Sequence, residues 1–497
     1  MKIYGIDYLQ YGDVVKIARN PKLVHISEEA MLQIERSYGN VRKIIADQKT
    51  VYGINTGFGP LCDTKISESE LEQLQHNLII SHSVGVGNPI DKKLSKMMMI
   101  AKIHALAKGF SGASPQVIER LQMMVEKDII PAIPEQGSVG ASGDLAPLAH
   151  MVLPLLGLGK VWRGSKIEES KEALQRHHLL PLKLGPKEGL ALINGTQFML
   201  AHGIAGLDKM KYLLDLADLA AALSLEAFQG SMTPFKKELH EIRPFEGSQT
   251  VAYRMTNFIQ GSEIHESHQG CDRVQDPYSF RCVPQVHGAS RNAWSHLKKA
   301  IEIELNSVTD NPIIISHEEA ISGGNFHGQL IALPLDYATF AAAELGNISD
   351  RRSFLLLEGK YGLPKLLVAS SGLNSGFMIP QYTSAALVTE NKTLCFPASA
   401  DSVPTSLGQE DHVSMGSISA RKFNQVLNNL ENILAIELML AAQGLEFRRP
   451  LRTSQILEEA HSLIRSKVSK LEDDRQIGED ILAIAALIRD RKFNVDI

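Results

Sequence analysis

Long runs of helical periodicity dominate this chain and leave few architectures open to it. LAHGIAGLDKMKYLLDLADLAAALSLEAF (200–228) repeats apolar residues at three- and four-residue steps, and so do ALPLDYATFAAAELGNISDRRSFLLLEG (332–359) and KFNQVLNNLENILAIELMLAAQGLEF (422–447). Shorter runs follow the same rule at 291–308 and 456–474. The three longest exceed twice the usual helix length of about 11–12 residues. Their apolar residues occupy more than one face, which places them inside a bundle rather than on its surface. No spaced series of β-branched strands accompanies them, and that argues against a Rossmann or barrel fold. The expected class is all-α, with a central bundle of long helices.

The first 200 residues read differently. Glycine turns recur there, in YGINTGFGP (52–60), GVGNP (85–89), GFSGASP (109–115) and GSVGASG (137–143). A boundary near 200 follows, with a loop-rich, mostly helical N-terminal domain at 1–200 and the long-helix bundle with C-terminal helices at 201–497. The chain has 497 residues, of which 44% are hydrophobic, enough for a large core. Charged residues are 22% and the formal net charge is −5, which favours neither nucleic acid nor an anionic membrane as partner. DLAPLAHMVLPLLGLG is too short to span a bilayer and is broken by Asp144, Pro147, His150 and Pro154. Four cysteines without a CxxC pair fit a reducing compartment, and no basic-then-apolar leader opens the chain. The expectation is a soluble, cytoplasmic protein.

The stretch GSVGASGDLAPLAH (137–150) carries the most chemistry. One reading is purely structural: Ser142 as the N-cap of the following helix, with the glycines as a tight turn. The other treats Ala141-Ser142-Gly143 as a precursor. A glycine amide nitrogen is unhindered, and on a sharply bent backbone it can attack the carbonyl carbon two residues back. Loss of water closes a five-membered ring, and loss of the serine hydroxyl leaves an exocyclic methylidene. Natural side chains include no comparable electrophile, so such a group acts as a built-in cofactor. A nucleotide-binding reading is weak, because G-x-x-G-x-x-G is not G-x-G-x-x-G and no GK[ST] follows.

The same stretch closely resembles the signature of the aromatic amino-acid ammonia-lyases, above all their histidine-acting members. YGINTGFGP (52–60), SHSVGVG (81–87), LINGTQ (192–197), VQDPYSFRCVPQVHG (274–288), GGNFHGQ (323–329), NSGFMIPQYTSAALVTENK (374–392) and QEDHVSMGS (409–417) agree in order. The resemblance implies a fumarase/aspartase-like helical fold, a homotetramer with active sites shared between subunits, and a 4-methylidene-imidazol-5-one formed from Ala141, Ser142 and Gly143. It also implies non-oxidative loss of ammonia from an amino acid, with L-histidine going to trans-urocanate at the start of histidine breakdown.

Carried over residue by residue, the resemblance makes Tyr52 and Tyr278 the candidate bases. A free tyrosine has a pKa of about 10, so work near neutral pH needs a downward shift of about three units, roughly 4 kcal/mol. A cation such as Arg281 supplies part of that, and which tyrosine takes the proton stays open. Arg281 also suits the substrate carboxylate, bidentately. Asn194 is placed to orient that carboxylate or the electrophile's carbonyl, Gln275 supports by hydrogen bonding, and Phe326 packs on the ring or the electrophile. His82, after Ser81, and Glu410, in QEDH, point to an imidazole substrate, since ring nitrogens need polar partners. Relatives preferring tyrosine or phenylalanine often have His-Leu or Phe-Leu at the first pair, and phenylalanine-type relatives lack the acidic residue. Leu407-Gly408 and Gln329 depart from the common histidine-type pattern, which keeps a tyrosine or phenylalanine ammonia-lyase, or an aminomutase, as the alternative. Two other classes are less favoured. His265, His268 and Cys271 have a zinc-like spacing without an evident fourth ligand. A non-catalytic helical scaffold would have no reason to keep Ala-Ser-Gly, both tyrosines and Arg281 together.

Overall fold

The computed structural model describes residues 1–270 and 273–497. Nineteen α-helices occur among them, and the strands are no longer than four residues. These strands make four small sheets. Lys2–Ile3 pairs in parallel with Val24–His25, and Val86–Pro89 runs antiparallel to Pro134–Gln136. Ile130–Pro131, Lys160–Arg163 and Lys166–Glu169 form an antiparallel three-stranded sheet, and Ile313–Ile314 pairs with Ala320–Ile321. All but the last lie within the first 200 residues, where the glycine turns are.

The long periodic runs form long helices: Gln197–Phe228, Val283–Leu305, Gln329–Leu356 and Gly416–Glu446. The run at 456–474 behaves differently, because its helix, Gln455–Arg465, stops after eleven residues. No glycine or proline ends it. Gln443 instead takes over the backbone of Leu471, donating to its carbonyl (2.8 Å) and accepting from its amide (3.0 Å). Those tertiary bonds satisfy groups that a continued helix would have used internally.

The chain forms two compact units. One comprises 1–208, 297–336 and 397–421, and the other 209–296, 337–396 and 422–497. In the second unit, segments of Gln197–Phe228 and Gly416–Glu446 are buried on every side, from Leu213 to Leu225 and from Ile433 to Ala442. This is the outcome expected of helices apolar on more than one face.

Polar groups inside this core are matched with care. Arg352 and Glu437, both fully buried, form a forked pair at 2.5 and 2.9 Å. Ser224 and Ser349 donate to the same carboxylate at 2.8 and 2.6 Å. Three helices are thereby pinned around one ion pair whose four bonds offset its desolvation. Glu437→Ala leaves the Arg352 guanidinium buried without a counter-charge. We expect it to lower unfolding free energy by about 3–5 kcal/mol, read as a fall in the thermal midpoint. An unchanged midpoint would show that the pair contributes nothing net.

Candidate active site

The loop that opens the site is built on glycine. Gly137, Gly140 and Gly143 all take positive φ, at 135°, 73° and 74°. At two of them an added side chain would also collide. A Cβ on Gly140 would sit 2.2 Å from Ser414 Oγ, and one on Gly143 would sit 2.1 Å from the Gly195 carbonyl oxygen. Gly143 and Gly195 meet backbone to backbone, and the Asp144 amide donates to the Gly195 carbonyl at 2.7 Å.

Ser142 is not the cap of the next helix. That helix, Leu145–Val152, has Asp144 at its N-cap position with no side-chain cap bond. The Asp144 carboxylate turns instead to the start of Gln197–Phe228, where it accepts from the amides of Phe198 (3.1 Å) and Met199 (3.0 Å); Ser138 Oγ donates to its other oxygen (3.2 Å). These amides are helix-terminal donors with no partner inside their own helix. Burial pushes the Asp144 carboxyl up to about 7, against the pull of the three hydrogen bonds.

Freed from capping, the Ser142 side chain faces a cavity of about 900 Å³ lined also by Tyr52, His82, Asn194, Phe326 and Glu410. Its hydroxyl donates to Glu410 Oε1 at 2.8 Å. Its carbonyl accepts from Asn194 Nδ2 (3.3 Å) and the Gly195 amide (3.4 Å). Glu410 Oε2 accepts from Thr405 Oγ1 (3.0 Å) and Ser406 Oγ (2.9 Å). The loop 405–410 closes on itself, Thr405 amide to Glu410 carbonyl at 2.9 Å, with Ser406 and Leu407 both left-handed at φ 50° and 55°. Left-handed backbone at non-glycine residues is strained and persists only where the surroundings enforce it.

Two ionisable groups of the cavity, His82 and Tyr52, are shifted by burial first. Burial lowers the His82 imidazole, while its backbone contact at Leu78 and the charge of Glu410 work the other way. Ser81 Oγ lies 3.0 Å from His82 Nδ1. Burial raises the Tyr52 phenol and Glu410 adds to the rise, with the Gly59 amide bond to its hydroxyl (3.2 Å) opposing. That direction is the reverse of what a general base at neutral pH requires. Behind Asn194, the buried Lys102 donates to the Asn194 carbonyl at 2.6 Å. Burial drags this ammonium down to about 7, with Asp310 opposing and Lys187 reinforcing.

Six residues picked out from the sequence thus share one cavity: Tyr52, His82, Ser142, Asn194, Phe326 and Glu410, with Ala141 and Gly143 flanking Ser142. Gln275, Tyr278 and Arg281 belong to the second unit and are not among the residues lining it. There, Tyr278 is 70% exposed and the Arg281 guanidinium stands over its ring, 4.4 Å from the centroid. Thr405, Ser406 and Lys102 were not legible as site residues. The first two lie in an unremarkable polar loop, whose only signal is closeness to Glu410, and Lys102 sits in an apolar helical run. Of the departures from the histidine-type pattern, Leu407 is an exposed loop tip and Gln329 donates to the Ser399 carbonyl at 3.0 Å. Of the zinc-like trio, both ring nitrogens of His268 face carbonyl oxygens, of Ile264 and Gly230, and Cys271 falls outside the described residues.

The family model for aromatic amino acid lyases matches residues 9–466. The chain belongs to the aromatic amino acid lyase family. A histidine ammonia-lyase of Sorangium cellulosum is 47% identical over 492 residues, covering 97% of this chain and 96% of that one. Among solved structures, histidine ammonia-lyase from Trypanosoma cruzi is 40% identical with a TM-score of 0.91, covering 99% of this chain and 94% of that one. Tyrosine aminomutase from Streptomyces globisporus is 35% identical with a TM-score of 0.93, covering 99% and 97%. The fold is therefore shared by proteins named for different amino acids, and the fold alone does not name a substrate.

Asp144 offers a direct test of the loop's anchoring. Its folded pKa of about 7 lies above the ordinary 3.8, so between these values the unfolded chain is ionised at this residue while the fold holds a proton. The unfolded state then binds fewer protons, and this group's contribution to stability falls as pH rises through that window. Asp144→Asn is expected to flatten that part of the dependence. Thermal midpoints of both proteins across pH 4–7 measure it, and parallel curves would refute the shift.

Proposed function

We propose that the chain is a histidine ammonia-lyase, eliminating ammonia from L-histidine to give trans-urocanate. The observation that carries this reading is the cavity itself, in which the Ala-Ser-Gly serine, His82 and Glu410 converge. Relatives named histidine ammonia-lyase, 44–47% identical over nearly the whole chain, support it. In the reaction, the substrate's Cβ–H and Cα–N bonds break and a Cα=Cβ double bond forms.

A methylidene-imidazolone closed from Ala141, Ser142 and Gly143 would supply the electrophile that takes up the amine and improves it as a leaving group. Local geometry fits that group. Positive φ at Gly143 and the bare approach to Gly195 suit a backbone bent back on itself, and Asn194 Nδ2 and the Gly195 amide point at the Ser142 carbonyl, where negative charge would develop. Asn194 Oδ1 is buried and has no hydrogen-bond partner among the described residues, which leaves an acceptor for a substrate N–H.

The chain's own residues then divide the work. His82, held neutral by burial, and Glu410 are polar partners for the imidazole or the ammonium group. Phe326 packs against the ring. The β-proton goes to a tyrosine. Tyr52 is in the cavity, but its phenol is raised; Tyr278 lies outside it, with the Arg281 guanidinium over its ring. The cavity lining contains neither lysine nor arginine among the described residues, so the substrate carboxylate needs a cation brought from elsewhere. Our reading is a homotetramer in which Arg281, Tyr278 and Gln275 of one subunit complete the cavity of another. Exposed apolar side chains on two helices, Tyr337, Phe340 and Phe354 on one and Ile379 and Tyr382 on the other, support burial of those faces by further copies. No helix among the described residues is long and apolar enough to cross a membrane. With few cysteines and no CxxC pair, a cytoplasmic location fits best.

An ultraviolet assay with L-histidine, L-tyrosine and L-phenylalanine in parallel tests the proposal. Conjugated acrylate and free ammonia are expected from histidine alone. His82→Leu should cut kcat/KM for histidine by at least about tenfold, ~1.4 kcal/mol. Product from an aromatic substrate instead would remove the histidine assignment and leave the lyase.

A further inference from the structure

Lys102 is a lysine that the fold buries behind the site. It stands in the helix Lys92–Leu106, is 1% exposed, and its ammonium donates to the Asn194 carbonyl at 2.6 Å. No carboxylate among the described residues lies within ion-pair distance of it. The two charged groups that act on it already answer each other: Lys187 and Asp310 are buried and paired at 2.7 Å, and Asp310 also accepts from the Asn311 amide at 2.7 Å. A buried ammonium without a counter-ion costs stability, and an apolar side chain of the same length would pack here at less cost. Packing therefore does not account for Lys102, but its one contact does. The Asn194–Gly195 peptide is trans, so its carbonyl and its amide point opposite ways. Lys102 holds the carbonyl, and the Gly195 amide on the other side donates to the Ser142 carbonyl at 3.4 Å. The Asn194 side chain reaches the same Ser142 oxygen through Nδ2 at 3.3 Å. Ammonium, peptide and Ser142 carbonyl thus form one hydrogen-bonded chain, in which a cation on the peptide carbonyl makes the amide of that peptide a stronger donor.

We propose that Lys102 is a positioning residue for the electrophile: it fixes and polarises the Asn194–Gly195 peptide, so that the donors on the Ser142 carbonyl oxygen strengthen when negative charge arrives there. This rests on the reading that Ala141-Ser142-Gly143 forms the methylidene-imidazolone, in which that oxygen remains as the ring carbonyl. A nucleophile that adds to the methylidene carbon forms one bond with its own electron pair, and the displaced pair of the double bond comes to rest on the Ser142 oxygen. A proton from water completes the adduct, so no oxidant or reductant is consumed. The amine of an amino-acid substrate places charge on the same oxygen. Donors held in advance where charge develops are effective because they need no reorganisation at the moment of reaction. The cavity lining has neither lysine nor arginine among the described residues, so in this unit positive charge reaches the Ser142 oxygen from behind the wall, through the peptide. Burial has drawn the ammonium down to about 7, and negative charge on the Ser142 oxygen works against that fall.

Hydroxylamine, a small nucleophile uncharged at mildly alkaline pH, tests this without substrate, because the rate at which the protein's mass rises by one hydroxylamine reads the addition alone. Wild type is expected two waters lighter than its sequence and reactive. Lys102→Met is expected to reach the same mature mass, to keep its thermal midpoint and to add hydroxylamine more slowly by about tenfold or more. Lys102→Gln, whose neutral amide still donates to a carbonyl, is expected to be slow as well, and Lys102→Arg, which restores the charge, to recover most of the wild-type rate. A wild-type rate in Lys102→Met or Lys102→Gln would overturn the proposal, and so would a folded Lys102→Arg as slow as Lys102→Met. Should Lys102→Met fail to fold, the Gln and Arg variants decide by the same rates. Folded neutral variants that stop short of the mature mass count for the proposal where Lys102→Arg matures, since loss of the Ser142 Cα proton puts charge on the same oxygen, and against it where Lys102→Arg stops too. Wild type at full sequence mass is a different failure, because it removes the electrophile itself and with it the proposed function. Wild type that adds hydroxylamine but is inert to histidine removes only the substrate assignment, and these rates still judge Lys102.

Discussion

One buried carboxylate sets the geometry on which the site depends. Asp144 accepts from the first free amides of Gln197–Phe228, so the glycine loop before it is anchored to the end of a 32-residue helix. A helix end is an efficient anchor. Its amides have no partners within the helix, and its partial positive charge favours a carboxylate. The anchoring also explains why Ser142 is available. With Asp144 at the N-cap position and its carboxylate already engaged, nothing recruits the serine hydroxyl to a structural bond, and it turns to Glu410. The close approach of Gly143 and Gly195 completes the clamp, since any side chain at either position would meet backbone or the Gln197 and Thr309 side chains. Loop strain is thus carried by a rigid element.

The cavity's electrostatics follow from this arrangement. Burial keeps His82 neutral and Tyr52 protonated, and the one carboxylate in contact with Ser142 is held by hydroxyls rather than by a cation. A site like this favours a neutral imidazole beside a hydrogen-bonding carboxylate. It does not by itself stabilise a substrate carboxylate or a phenolate. Both of those demands point to positive charge, and Arg281 with its stacked Tyr278 lies on the second unit. Within a single chain the cavity therefore has the Ala-Ser-Gly loop and, facing it, the wall that carries His82 and Glu410.

Much of this was legible in the sequence because the signals were local. Helices such as Gln197–Phe228 and Gly416–Glu446 announce themselves through periodicity, and the three glycines at 137, 140 and 143 do adopt the positive φ their spacing suggested. What the sequence hid was non-local. Beyond the helix end at Arg465, the backbone of Leu471 is held by Gln443, from another helix. Asp144 reads locally as a first-turn acid of its own helix, and only the fold shows that it serves a different one. Segments 297–336 and 397–421 join the first 208 residues in one unit, although nothing in their composition marks them apart from the bundle. Lys102 is invisible for the same reason, since a lysine in an apolar run gives no sign that its ammonium will meet the Asn194 carbonyl.

The loop 405–410 shows how a strained segment and a functional side chain come to coincide. Two consecutive left-handed non-glycine residues would relax in isolation, at a gain of order 1–3 kcal/mol each. Here the turn is closed by the Thr405–Glu410 backbone bond, and the hydroxyls at its start reach the carboxylate at its end. An extended loop would carry Thr405 and Ser406 away from Glu410, freeing the carboxylate to rotate. Strain in the backbone is thus exchanged for a fixed side chain. The exposed Leu407 at the tip takes no part in those bonds, so the carboxylate's aim does not depend on its side chain.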